Sequence, residues 1–566
     1  MTAPAAARSS GDRFLATLRW LAIAVALALL TLAVRPGPHV FDIPLTEDGY
    51  YSLTVARNLA AGRGLTIDGT TLTNGFQPLF TMIESLAFWL AGANDALALR
   101  FVMLFAWAFH VAGALTLAAI ARDAWPLQNE GLEGKRERDL RGALAAFLYL
   151  AAPLMLNHAY NGLETGCVMY FYALAWRWRQ MEWDRGWGGL AGFGAIIGLM
   201  VLARIDAAFL ALVLGLDELR RHRHSGFARM LARGAVLGGV ALAVSAPWWI
   251  YNMVHFGSPM PTSGTAQQNW AIEWLRFEFA EWALRLVAVP WVFFGAYESA
   301  VSIDVPWPLG PAGYVSVTLP GTARLLFVGA GGWLAWRAWK RGAFRGVAGR
   351  ASSAGDARVR RSLEFAACFA LALAGLLAYY LFSFVAYWFY YRYFAPVALF
   401  AVVIAALAWA RISIANRNAS ALALQFALAG ALSVQIAVLA ILAQDGRGLG
   451  GNTVYHDQVA LVRAHVPDRD YVAAGQSGTL GFFRPRVVNT DGKVNLPALA
   501  YQDRMWVYLR EQNIGWFVDW PFYVNKYLGV PLEADDVPAA EANGWRRVAT
   551  QNYFYLYEYV GPKKAP

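Results

Sequence analysis

The stretch FLATLRWLAIAVALALLTLAV, residues 14–34, runs straight into RPGPHVFDIPLTEDGYY, residues 35–51, and this junction decides the architecture. The first part carries a single charged side chain, Arg19, and reaches the ~20 apolar residues that cross a hydrocarbon core. The second part is turn-rich and ends on two adjacent acids and two tyrosines. Runs like the first recur at residues 101–121, 234–251, 363–384 and 419–443. Of the 566 residues, 58% are hydrophobic and only 15% charged, where a soluble chain carries roughly a quarter. The 24 Trp and 25 Tyr suit membrane–water interfaces. The chain reads as an α-helical polytopic membrane protein.

In that setting the net charge of +10 reflects basic cytoplasmic loops rather than nucleic-acid binding. Cys167 and Cys368 both fall in or beside apolar runs, as small core residues do. Arg8, Arg13 and Arg19 surround the start of the first run as in a signal peptide. That run is too long for one and lacks a small-x-small cleavage site, so it reads as an uncleaved first span.

Basic residues gather at residues 122–141, 177–185, 220–233 and 337–361, and again at Arg411 and Arg417. The positive-inside rule puts these segments and the N-terminus in the cytoplasm. Parity then demotes two apolar runs. Residues 76–90, with Pro78 and Glu84, become an interfacial helix, and residues 282–297 cease to be a crossing. The result is about 11 transmembrane helices with the N-terminus inside and the C-terminus outside. Residues 1–443 form the membrane domain, with a first outer loop at 35–95. Residues 444–566 turn polar and carry strand-like runs at 471–474, 486–488 and 516–518, which predicts a soluble α/β domain of roughly 120 residues on the outer face.

The outer segments carry the ionisable candidates. Glu47-Asp48, behind Thr46, opens a helix. Two neighbouring carboxylates near lipid raise each other's pKa, which suits a general base, and they equally suit an N-cap and the helix dipole. Glu164, in Asn161-Gly162-Leu163-Glu164-Thr165, is an acid at the membrane surface, with His158 earlier in the same turn. Arg204-Ile205-Asp206 is either a structural ion pair or a phosphate-facing Arg with an acid lining the same cavity. Arg392 sits among Tyr390, Tyr391, Tyr393 and Phe394, where a guanidinium fork can grip phosphate at head-group level and the tyrosines can stack on sugar or lipid. Residues 259–264 form an ordered turn near the pocket. Asp491-Gly492-Lys493 is either a plain tight turn or an acceptor-binding loop over the catalytic face. Gly475-Gln476-Ser477-Gly478 lacks the flanking strand–helix pattern of a phosphate loop, so no nucleotide site is read there.

Glu47-Asp48, Ala56-Arg57-Asn58-Leu59-Ala60-Ala61-Gly62 and Asn74-Gly75-Phe76-Gln77-Pro78-Leu79, in that order after a first span, resemble the GT-C superfamily of integral membrane glycosyltransferases. The resemblance is to its bacterial branch that includes the aminoarabinose and protein mannosyl transferases, and it covers most of residues 1–443. It implies a polyprenyl-phosphate sugar donor, a catalytic Asp that falls on Asp48 with Glu47 and Glu164 in support, and basic residues, Arg392 and Arg204, on the donor phosphate. Tyr50, Tyr51, Arg57, Asn74, His158, Asp206, Tyr391 and Tyr393 are the expected pocket residues. A divalent metal at Glu47 and Asp48 is an option that the resemblance leaves open. The implied setting is the bacterial inner membrane, with a glycolipid, polysaccharide or protein as acceptor. A transporter or flippase for lipid-linked sugars and a non-catalytic envelope scaffold are the competing classes.

Overall fold

The structure is a computed structural model that describes residues 10–127, 131–274, 302–306, 314–318, 332–340, 354–383, 390–416, 418–446 and 454–561. The 282–297 run and most of the 342–355 connector lie outside the described residues.

Long apolar runs can hide their backbone polar groups from lipid only as helices, and helices are what form. Six of those described are long and apolar enough to cross a membrane: Gly11–Val34, Asp95–Asp123, Phe227–Phe256, Ala357–Leu381, Val397–Ala415 and Ala419–Gln444. Shorter helices run over Gly131–Leu150, Thr165–Gln180, Trp187–Ala203, Ala208–Arg221 and Gly332–Lys340. The demoted run at 76–90 is the 14-residue helix Pro78–Ala91, too short to span unaided. Asparagines cap two of the helix starts: Asn94 accepts from the Leu97 N–H at 3.0 Å and Asn418 from the Ala421 N–H at 3.2 Å.

At one end of the bundle a buried ion network joins the helices. Arg179, ending the Thr165–Gln180 helix, pairs with Asp184, with Asp217 at 3.2 Å and with Glu218 at 2.8 Å. The other Glu218 oxygen accepts from Arg233 Nε at 2.7 Å, and Arg233 also donates to the Asp184 and Arg185 carbonyls. Every charge here has an opposite partner, as burial requires.

Away from the bundle, Ser302–Pro306 (β1) and Tyr314–Thr318 (β2) pair antiparallel. The C-terminal domain is built on a six-stranded mixed sheet of order β4-β3-β5-β8-β7-β6, comprising Val472–Ala474 (β3), Val487–Asn489 (β4), Trp516–Asp519 (β5), Glu541–Ala542 (β6), Trp545–Gln551 (β7) and Phe554–Tyr559 (β8). The period-2 alternation of strands sends Ala473, Phe517 and Tyr557 to one face and Val472, Ala474, Val518 and Leu556 to the other. Helices Met505–Glu511 and Pro521–Leu528 cover the first face, and Val454–His465 the second.

This domain is fastened to the first loop of the membrane domain. In the Glu47–Ala60 helix, Glu47 turns its carboxylate onto the start of the Gly478–Phe483 helix, accepting from the N–H groups of Gly478 and Thr479 (2.8 Å for Thr479) and from the Thr479 hydroxyl at 2.5 Å. Tyr51 donates to the Gly475 carbonyl at 3.1 Å and accepts from the Ser477 N–H at 3.0 Å. Arg57 lies 4.3 Å over the Phe482 ring and donates to the Phe482 carbonyl at 2.9 Å. Gly475-Gln476-Ser477-Gly478 does therefore join a strand to a helix, contrary to the sequence reading. The flanking β3 is only three residues long, too short to show a period. The anion its helix N-terminus attracts is a carboxylate of the same chain.

Two outcomes are expected. Arg179→Ala leaves three buried acids without their shared partner and costs about 3–5 kcal/mol. Arg220→Ala, removing a guanidinium that is 57% exposed, costs at most about 1 kcal/mol. Thermal unfolding in detergent should separate the two variants clearly. Glu47→Ala strips the Gly478 and Thr479 donors of their acceptor at about 1–3 kcal/mol, and limited proteolysis should then release the C-terminal domain faster than from the parent.

Candidate active site

Asp48 and Glu164 meet because two turns interlock. Thr46 caps the Glu47–Ala60 helix through the Gly49 N–H at 3.3 Å, and its own N–H and hydroxyl both donate to the Asn161 carbonyl at 3.2 Å. That carbonyl occupies the space where a Cβ on residue 49 would stand, at 2.2 Å, so only glycine permits the approach. Asn161 in turn accepts from Leu163 N–H at 3.1 Å and presents Glu164 at the head of the Thr165–Gln180 helix.

The cavity so formed holds about 330 Å³, near the lower end for small-molecule sites. Its ionisable lining is Asp48, Glu164, Arg204, Asp206, Arg392 and Lys493. Arg392 stands between the two acids, with Nη1 at 3.4 Å from Asp48 Oδ2 and Nη2 at 3.2 Å from Glu164 Oε2. Burial works against its charge, but Glu164 and Asp48 outweigh that and hold the guanidinium above its ordinary pKa. Arg204 is held on all sides. It forks onto Asp206, with Nε at 3.0 Å from Oδ1, and donates to the carbonyls of Arg392 at 2.7 Å and Tyr393 at 2.9 Å. Arg204 and Asp206 are thus the ion pair of the first reading, and both line the cavity. Tyr380 donates to Asp206 at 3.0 Å.

Of the other expected pocket residues, Tyr51 and Tyr393 line the cavity. Tyr50, Arg57, Asn74 and His158 do not. Tyr50 donates to the Phe41 carbonyl and packs on Phe482. Arg57 pairs with Asp95 at 2.9 Å. Asn74 accepts from Thr262 N–H at 2.9 Å and donates to Asn252 at 3.2 Å, tying loop to loop. His158 is half-buried in the short helix Pro153–Ala159. The Tyr391 side chain lies outside the described residues. Glu47, expected beside Asp48, is turned away onto the C-terminal domain. Burial pushes its carboxyl up to about 7 against the pull of the Gly478 and Thr479 donors. Because Glu47 is spent there, the acidic pair does not converge on one point. Among the described residues no three His, Cys, Asp or Glu side chains cluster as metal ligands.

Residues to which the sequence assigned no defined role complete the wall. Gln77 accepts from the Ile205 N–H at 3.2 Å. Met260, Pro261, Ser263 and Gly264 line the cavity from the 259–264 turn. Lys493 and Val494 enter it from the C-terminal domain, so the Asp491-Gly492 turn does fold over this site. Lys493 was readable only as part of a turn because nothing near it in sequence belongs to the membrane.

No family model matches the chain. A curated protein, terminal β-(1→2)-arabinofuranosyltransferase of Mycobacterium tuberculosis, is 27% identical over 245 residues, which cover 41% of this chain and only 36% of that relative. Two solved structures of ArnT from Cupriavidus metallidurans align over 97% of this chain with a TM-score of 0.44 each. The apo form is 16% identical and covered over its full length, and the form bound to undecaprenyl phosphate is 17% identical and 99% covered. The arabinofuranosyltransferase relative, matched over about a third of its own length, agrees with the resemblance of the Glu47-Asp48 loop and the polytopic bundle behind it to the GT-C superfamily of integral membrane glycosyltransferases.

Proposed function

We propose that the protein transfers a sugar from a polyprenyl-phosphate donor to an acceptor hydroxyl, with inversion, on the extracytoplasmic face of a bacterial inner membrane. The observation that carries this reading is the convergence in one cavity of the Asp48 carboxylate and the guanidinium of Arg392. Glycosyl transfer from a phosphate leaving group needs that pair, a base for the acceptor and a cation for the phosphate. The basic loops support the orientation, since they place this face away from the cytoplasm. The mycobacterial relative, an arabinofuranosyltransferase by name, supports the reaction class.

In the proposed reaction the acceptor oxygen attacks the anomeric carbon from the side opposite the phosphate. Its proton goes to the Asp48 carboxylate. The bond from the anomeric carbon to the phosphate oxygen breaks, and its electron pair stays on the phosphate. Arg392 holds that phosphate, and Glu164 keeps Arg392 in place. Arg204, saturated by Asp206 and two carbonyls, fixes the backbone at Arg392 and Tyr393 instead of turning to the donor. Lipid-linked arabinofuranose is one donor of the right class. A glycolipid, polysaccharide or protein hydroxyl would serve as acceptor.

Asp48→Asn should lower transfer from polyprenyl-phosphate sugar by ~10²–10⁴-fold, with expression, membrane insertion and thermal unfolding unchanged. Radiolabelled donors and membranes from the expressing cell provide the assay. A transporter or scaffold would be indifferent to the substitution, so undiminished label transfer in the variant rejects the proposed base.

A further inference from the structure

Cations line the cavity at three places, and their surroundings differ. Arg204 has its guanidinium filled by Asp206 and two carbonyls, and Arg392 is stretched between Asp48 and Glu164. Lys493 forms an ion pair with Asp491, Nζ to Oδ2 at 3.1 Å, on a side chain with several rotatable bonds. Its backbone, in contrast, is fixed. Asn489 accepts from Gly492 N–H at 3.1 Å, Asp491 Oδ1 from Lys493 N–H at 2.9 Å, and Asn495 donates to the Asn489 carbonyl at 2.8 Å. The Lys493 carbonyl accepts from the Thr262 hydroxyl at 3.0 Å and abuts Gly75, where a Cβ would come within 2.0 Å of it. A hydrogen-bonded turn of the C-terminal domain is thus pressed into the membrane-domain loops, with an ammonium on a flexible stem at its tip. Burial lowers the pKa of this ammonium, but Asp491 and Asp48 more than offset that, so it carries charge beside the base.

We propose that the C-terminal domain is part of the active site, and that Lys493 holds the phosphate of the polyprenyl carrier as it leaves. This rests on the transfer reading above. The chemistry asks for such a group. A sugar phosphodiester carries one negative charge, and breaking its bond to the anomeric carbon leaves a monoester that takes up a second. The charge appears late and on the departing group, so its best partner is a cation that can turn toward it. An ammonium with three donors, released from Asp491, meets that need. Arg392 grips the diester in the ground state, and Lys493 answers the charge that develops.

The test uses the purified full chain in phosphatidylcholine nanodiscs, titrated with polyprenyl monophosphate and, in parallel, with the matching polyprenol. Lys493→Gln should weaken binding of the monophosphate by roughly 10-fold or more while leaving polyprenol binding unchanged. Lys493→Arg should stay within a few-fold of the parent. Asp491→Asn keeps the oxygen that accepts from the Lys493 N–H but frees the ammonium from its anion, so it should bind the monophosphate at least as tightly as the parent. A misfolded turn could not produce that result. Equal affinity in Lys493→Gln and the parent overturns the proposal, as does equal weakening in Lys493→Gln and Asp491→Asn. Displacement of the carrier by inorganic phosphate at the same concentration would overturn the assignment to the carrier. A parent that does not distinguish monophosphate from polyprenol rejects the transfer reading itself, and Lys493 with it.

Discussion

The guanidinium of Arg392 lies between the carboxylates of Asp48 and Glu164, residues 344 and 228 positions away in the chain. A lone buried carboxylate is costly, and two side by side are worse, because each repels the other where little water screens them. The arginine resolves both problems with one group. It can do so only if the Glu47–Ala60 helix, the 161–164 turn and the 390–396 turn stand in one arrangement. Arg204 then locks the third of these by donating to its carbonyls, while Asp206 neutralises Arg204 in turn. The site is thus held in shape by its own charges, and its walls are the loops those charges pin.

Glu47 and Asp48 show how a single helix step divides labour. Successive residues on a helix point about 100° apart. Once Thr46 fixes the first turn, one acid must face the cavity and its neighbour must face elsewhere. What lies elsewhere is the N-terminus of the Gly478–Phe483 helix, with unsatisfied N–H groups that attract an anion. Docking of the C-terminal domain and orientation of the proposed base therefore share one helical turn. A change at either is felt at the other without any long pathway between them.

Much of this was legible in the sequence for identifiable reasons. Lipid forces helices on apolar runs, so their positions followed from composition, and the run at 76–90 that loop charge demoted is the short helix Pro78–Ala91. Asp48, Glu164, Arg204, Asp206 and Arg392 were found because charge at a membrane surface is costly and stands out against apolar neighbours. The same criterion misjudged Arg57 and Asn74. Those residues are conspicuous too, but Asp95, Phe482 and Thr262 use them for fastening. What stayed hidden depends on contacts more than 400 residues apart. Glu47 finds Thr479, and Lys493 reaches the cavity from a turn that local chemistry describes equally well without a ligand. No period or spacing along the chain encodes such a meeting.

The charges of the cavity are paired internally, Arg204 with Asp206 and Lys493 with Asp491, while the single guanidinium of Arg392 serves both Asp48 and Glu164. This matching has a chemical meaning for the proposed reaction. Arg392 engages one oxygen of the Asp48 carboxylate. An arriving phosphate competes for Arg392, and each bond it makes to the guanidinium loosens the one at 3.4 Å to Asp48, the longer of the two contacts. Glu164, nearer and more deeply buried, keeps its hold. Donor binding would thereby release the base that the acceptor needs, and only when a donor is present.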